Sequence, residues 1–293
     1  MRHPVCLGYQ IATPEVSYSA DLTCLYGDVE QNIKLLKEIG YDAVEFMSVD
    51  PKQLNAEAYL KILNQNHMRA VMVCTGEVAG TLGLTFLDSD EQIRRRAINR
   101  VKEIIDFAAI LGANVNIGRV RGMLDPKNGL DDTPAINAFR EVSAYAIRKN
   151  VDILIEPIEK PDENYINTIA DGVKVKNALD QENFKVMMDY SAMCFEEDSI
   201  ADAVERFAAA DVAHIHLSEK ERDYPGYLDI KPFESFIAQL AKTGYTGPFV
   251  LEVYSIPDQK TAAEKSFEAI APILEQHYGW RSVHHGLCVK GGS

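Results

Sequence analysis

The chain has no apolar run near the roughly 20 residues that a bilayer span requires. The stretch after Met1-Arg2-His3-Pro4 is too short for a signal peptide and is soon broken by Gln10 and Glu15, so a cytoplasmic protein is expected. Basic charge is also short. Thirty Lys and Arg against 44 Asp and Glu leave a net charge of −14, which repels phosphate backbones and anionic lipid and sets nucleic acid and membranes aside as partners. Cysteine is sparse: Cys6, Cys24, Cys74, Cys194 and Cys288 form no close pair of the zinc-knuckle or redox kind and are expected as reduced, packed thiols. No Pro- or Ser-rich linker divides the 293 residues, so two independent domains lose their simplest support.

What is present is a rhythm. With 46% hydrophobic and 25% charged residues, the chain can bury a large core, and apolar runs of strand length alternate throughout with amphipathic stretches of helix length. Strands are expected at 5–10, 43–47, 70–74, 114–118, 151–156, 185–189, 212–217 and 249–253. Helices are expected at 29–39, 56–64, 91–111, from Thr133-Pro134 as cap and first turn, and at 167–179, 200–207, 233–242 and 262–277, several of them stopped by glycine. The segment from 75 to 90 reads as a long polar loop. Eight strands alternating with about eight helices predict an α/β fold with a single (β/α)8 TIM barrel over residues 1–280, followed by a C-terminal tail, 281–293.

Chemistry in such a barrel sits at the C-terminal ends of the strands. Four consecutive predicted strands end on ligand-type residues there: Glu156 in Leu154-Ile155-Glu156-Pro157, Asp189 in Met187-Met188-Asp189, His216 in His214-Ile215-His216, and Glu252 in Val250-Leu251-Glu252. Three carboxylates and one imidazole make an oxygen-rich donor set suited to one divalent metal, Mn²⁺ first and Mg²⁺ or Co²⁺ as alternatives.

Glu156-Pro157-Ile158 with Tyr165-Ile166-Asn167-Thr168, Asp189, His216-Leu217-Ser218-Glu219 with Arg222, Pro225-Gly226 and Asp229, and Leu251-Glu252 together resemble the xylose isomerase-like barrel superfamily. Within it they are most similar to the ketose 3-epimerases of the tagatose and psicose epimerase type. The resemblance implies that the four residues bind the metal, that Glu156 and Glu252 double as acid/base groups, and that Arg222 contacts substrate oxygen. It implies a sugar isomerase or epimerase that moves a proton alpha to a carbonyl through a metal-stabilised enediolate, a reaction that needs an electrophile and a base on each face. A homo-oligomer or a partner subunit is compatible with it.

Two departures from that family pattern stand out. Asp189-Tyr190-Ser191-Ala192 lacks the histidine found three residues after the aspartate, and Glu159-Lys160-Pro161-Asp162 places a shorter acid, Asp162, where a sugar-binding glutamate is expected. They keep open a metal-dependent lyase or dehydratase acting on an oxidised sugar or glycoside. Arg119 and Arg121, beside glycines at the fourth strand end, are candidates for gripping a substrate phosphate or carboxylate, with pairing to the protein's own acids as the alternative. Glu45 at the end of strand two is a candidate for binding sugar hydroxyls or orienting a ligand. His214 shares a face with His216 and is expected to support it, whereas neighbours in an extended tail point apart, which argues against His284-His285 as a metal pair.

Overall fold

The computed structural model describes residues 5–129, 131–160 and 162–282. Eight parallel strands, β1 (Cys6–Ala12), β2 (Ala43–Met47), β3 (Arg69–Cys74), β4 (Asn114–Ile117), β5 (Ile153–Ile155), β6 (Phe184–Asp189), β7 (Val212–Leu217) and β8 (Pro248–Leu251), pair in chain order, and β8 pairs back onto β1 to close a barrel. The outer helices are α1 (Val29–Ile39), α2 (Ala56–Gln65), α3 (Gly76–Leu82), α4 (Glu91–Leu111), α5 (Thr133–Ile147), α6 (Ile169–Leu179), α7 (Tyr190–Glu196), α8 (Ile200–Phe207), α9 (Lys231–Thr243) and α10 (Gln259–Tyr278). The expected (β/α)8 architecture is therefore the observed one.

Local chemistry fixes the helix ends. The Asp28 and Asp90 side chains accept the second or third free amide of α1 and α4, and α4 stops where Gly112 takes φ +70°, a left-handed angle costly for any residue with a Cβ. Three sequence expectations need correction. Residues 75–90 contain α3, and α7 starts directly on β6; each has only seven residues, too few for a helical period to stand out. The cap position of α5 is Asp132, with Thr133 first and Pro134 second in the helix, one residue earlier than expected. Beyond Ser282 the tail, with Cys288 and His284-His285, lies outside the described residues. Cys6, Cys24 and Cys74 are buried free thiols and Cys194 is partly covered.

Strand alternation decides what enters the barrel. Ile153 and Ile155, Val186 and Met188, Ile215 and Leu217, and Phe249 and Leu251 face outward and join the large core beneath the helices. Their neighbours face inward and divide into two levels. Met72, Leu154 and Met187 pack together as an apolar floor, reached at its top by Cys74. One inward position further along come Gln10, Glu45, Asn116, Glu156, Asp189 and His216, buried, and the partly exposed Glu252, a polar level at the C-terminal mouth. Register brings partners level, with Gln10 beside Glu45 and Asp189 beside His216.

Candidate metal centre and its cavity

Glu156 and Glu252 follow the last residues of β5 and β8, Asp189 ends β6, and His216 is the penultimate residue of β7. One ligand atom from each lies within 4.8 Å of the others, so the structure brings together all four residues expected to bind metal. His216 Nδ1 is 3.2 Å from Glu156 Oε1 and 3.0 Å from Glu252 Oε2. It is buried and has no hydrogen-bond partner. A buried imidazole nitrogen within ion-pair distance of two carboxylates, without hydrogen-bond geometry to either and gathered with a third, is what a divalent cation would satisfy, and the hard, oxygen-rich donors suit Mn²⁺, Mg²⁺ or Co²⁺. The residues therefore fit such an ion.

Each ligand is held from behind. Asn116 Nδ2 donates to Glu156 Oε2 at 2.8 Å, and Asn116 is itself fixed by Thr75, whose backbone N–H donates to its side-chain oxygen at 2.9 Å. Gly118 leaves the room this needs, since a Cβ there would stand 3.0 Å from the same Glu156 oxygen. Asp189 Oδ1 accepts the Ser191 N–H at 2.9 Å and caps α7. Glu252 Oε1 accepts from the Thr23 hydroxyl at 3.2 Å. Asn116 and Thr23 were not foreseen. The one sequence signal for Asn116 is a polar residue at an inward position of a short, mostly apolar strand.

Arg222 spans the mouth, with Nη2 2.6 Å from Asp189 Oδ2 and Nη1 2.9 Å from Glu252 Oε2. Its backbone takes a left-handed φ of +64°, secured by its N–H donating to Glu219 O at 3.0 Å and its C=O accepting from Tyr254 N–H at 2.8 Å. Burial alone would raise the Glu252 carboxyl, but Arg222 and His216 outweigh it and hold that acid at about 2. Burial dominates at Glu156 and pushes it up, against the pull of His216. The two glutamates thus sit on opposite sides of the ordinary range.

A cavity of about 240 Å³ opens above the centre. Glu156 and Glu252 line it, whereas Asp189 and His216 do not. Asp162 and Arg222, both candidates for substrate contact, also line it, together with Asp21, Glu159 and Tyr254. The two arginines of the fourth strand end part company. Arg119 lies on the rim, tied to Glu77 of α3 at 2.6 Å. Arg121 is fully buried and donates to the carbonyls of Tyr165, Gly118, Glu156 and Ile166 at 2.8–3.1 Å. The expectation that Arg121 grips a substrate anion is corrected by this placement, because the tight turn after β4 points it into the wall. Glu45 is likewise fully buried and does not line the cavity, against its candidacy as a contact for sugar hydroxyls. Ala192 is buried in α7, also away from the lining.

A (β/α)8 barrel with a Glu/Asp/His/Glu cluster at its C-terminal mouth, consistent with a divalent metal site, is the class of protein this geometry defines. The chain belongs to the xylose isomerase-like TIM barrel family, whose profile matches residues 33–273. It is 25% identical to an L-ribulose 3-epimerase of Methylomonas sp. over 225 residues, 74% of this chain and 75% of the relative. It is 23% identical to a 3-dehydro-D-guloside 4-epimerase of Escherichia coli over 237 residues, 77% and 87% of the two chains. A crystal structure of D-allulose 3-epimerase from Methylomonas sp. superposes with a TM-score of 0.75 at 20% identity, covering 93% of this chain and 99% of that one, and shares its fold. No helix among the described residues is long and apolar enough to cross a membrane.

Proposed function

We propose that this protein is a divalent-metal-dependent sugar epimerase that moves a proton at a carbon next to a carbonyl, with Mn²⁺ as the working ion. The observation that carries the reading is the division within the ligand set: of the four residues, Glu156 and Glu252 line the cavity while Asp189 and His216 stay beneath it. That is the arrangement a two-base epimerisation needs, in which one carboxylate takes the proton from one face of the substrate and the other returns it on the opposite face. A bound divalent cation would hold the substrate oxygens and supply the charge that steadies the enediolate.

The protein's own groups do the rest. Glu252, held ionised by Arg222, is ready to accept the proton at a carboxylate oxygen. Glu156, aimed by Asn116, is placed on the other side to return one, and the roles exchange in the reverse direction. Asp189 and His216 serve as ligands only. Arg222, which already bridges two ligand carboxylates, is placed to turn toward substrate oxygen once a cation takes over those charges. Asp21, Glu77, Glu159 and Asp162 surround the opening, against Arg119 and Arg222, each already paired with an acid. This acidic rim favours a neutral ketose or oxo-sugar over a sugar phosphate or uronate. The relatives named as 3-epimerases and a 4-epimerase support the same reaction class.

The test is NMR of Mn²⁺-loaded, then metal-stripped protein incubated in D₂O with ketoses, 3-oxo sugars and inososes. Metal-dependent deuterium incorporation next to the carbonyl with formation of the epimer is expected. Exchange without an epimer, accompanied by loss of water or of an aglycone, would replace epimerase by lyase.

A further inference from the structure

Beneath the cavity, on the far side of the His216 ring from the ligand carboxylates, stands Glu45. Both oxygens of this fully buried carboxylate are engaged. Oε1 is 2.9 Å from His216 Nε2, accepts from Gln10 Nε2 at 2.8 Å and from the Cys74 thiol at 2.6 Å, while Oε2 is 2.8 Å from His214 Nε2. We infer that Glu45 is a positioning residue that holds the His216 ring with Nε2–H toward itself and the Nδ1 lone pair toward the cation, and so sets how tightly the centre keeps its metal. This rests on the metal centre of the proposed function and extends it to a residue that touches neither cation nor substrate.

Three observations carry the inference. A carboxyl group fully buried inside the barrel is costly, and an apolar side chain would fill the same space, so packing does not explain it. Its partners come from β1, β3 and β7, which fixes the carboxylate from several sides before it acts on the ring. The two ring nitrogens of His216 have divided surroundings: Nε2 has Glu45, whereas Nδ1 has no hydrogen bond and faces Glu156 and Glu252. A carboxylate on the remote nitrogen of a ligating histidine fixes the tautomer and raises the donor strength of the other nitrogen.

The experiment measures Mn²⁺ affinity, from the electron paramagnetic resonance signal of free Mn²⁺, in the wild type, Glu45→Gln and Glu45→Leu. It also records the ¹⁵N shifts of the His216 ring in the Mg²⁺-loaded wild type. Removing the charge should weaken Mn²⁺ binding about 10–100-fold, with Glu45→Leu weaker than Glu45→Gln, and the loaded wild-type ring should carry its proton on Nε2. A merely structural Glu45 would lower the melting temperature of the metal-free variants and leave Mn²⁺ affinity unchanged in those that fold, which would overturn the inference. A wild-type ring protonated on Nδ1 would overturn it as well, and that result needs no variant to fold. A wild type that binds no divalent metal would instead overturn the proposed function.

Discussion

Replacing Arg121 with methionine preserves much of the side chain's length and apolar stem while deleting every donor. Four buried carbonyls, those of Gly118, Glu156, Tyr165 and Ile166, would lose their guanidinium partner at once. Leaving a buried acceptor unsatisfied costs about 1–3 kcal/mol. The Gly118 and Ile166 carbonyls keep the backbone N–H donors of residue 121 and Ile158, so the cost falls on those of Glu156 and Tyr165, about 2–6 kcal/mol together. A domain has only about 5–15 kcal/mol to lose, and at roughly 2–4 °C per kcal/mol for a chain somewhat smaller than this one, the melting temperature should fall by about 5–20 °C. Urea denaturation of metal-free wild type, Arg121→Met and Arg121→Lys measures this, with lysine intermediate because its three donors cannot serve four acceptors in a planar fork. Arg119→Gln, which loses one half-exposed ion pair with Glu77, should cost less than about 1 kcal/mol. If Arg121→Met unfolds within about 1 kcal/mol of wild type and shows a raised KM instead, the clasp is unimportant and the guanidinium serves a ligand.

His216→Ala and Asp189→Ala should lose metal on equilibrium dialysis, and full occupancy in either would remove that residue from the ligand set. Glu156→Gln or Glu252→Gln should retain metal yet lower turnover by about 10² or more, and normal turnover in a metal-loaded Gln variant would place the base elsewhere. Asn116→Leu removes a hydrogen bond that favours ionised Glu156, so its carboxyl should titrate higher and, in the direction in which Glu156 takes the proton, the acidic limb of the kcat/KM profile should move to higher pH, while an unmoved limb would separate Asn116 from proton transfer. Burial, only partly offset by Arg121 and Arg119, raises Glu163 from the ordinary value of 4.5 to about 7. The folded chain therefore holds a proton that the unfolded chain has released between about pH 4.5 and 7, and this group makes stability fall as pH rises through that window. Glu163→Gln should flatten the fall in urea titrations and be most stabilising above pH 7.

The barrel was legible because every strand carries a run of outward residues for the helical core, and the four ligands were legible because each stands at the next inward position beyond such a run. Ile153-Leu154-Ile155 leads to Glu156 by plain alternation. Alternation stops being a guide once the strand ends. Arg119 and Arg121 are two residues apart, as on a strand, yet they lie in a 3₁₀ turn that sends one to the rim and the other into the wall. The partners of the ligands were hidden for a different reason: Asn116, Thr75 and Thr23 reach the site from distant segments through one or two hydrogen bonds each, which leave no pattern in local sequence. Glu45 was visible as a strand-end acid, but its orienting role needed the positions of Gln10, Cys74, His214 and His216 around it.

The apolar floor formed by Met72, Leu154 and Met187 makes the barrel a vessel with one opening. On the proposed function, ion and sugar would both pass the rim that carries Arg119 and Arg222, because among the described residues the space beneath the cavity is filled by packed side chains. An order of addition would follow. The ion would enter first and the sugar last, and a sugar lying across Glu156 and Glu252 would bar the way back out. Metal exchange should therefore slow when substrate is present, and excess sugar added before the ion should delay the appearance of activity while leaving its final level unchanged.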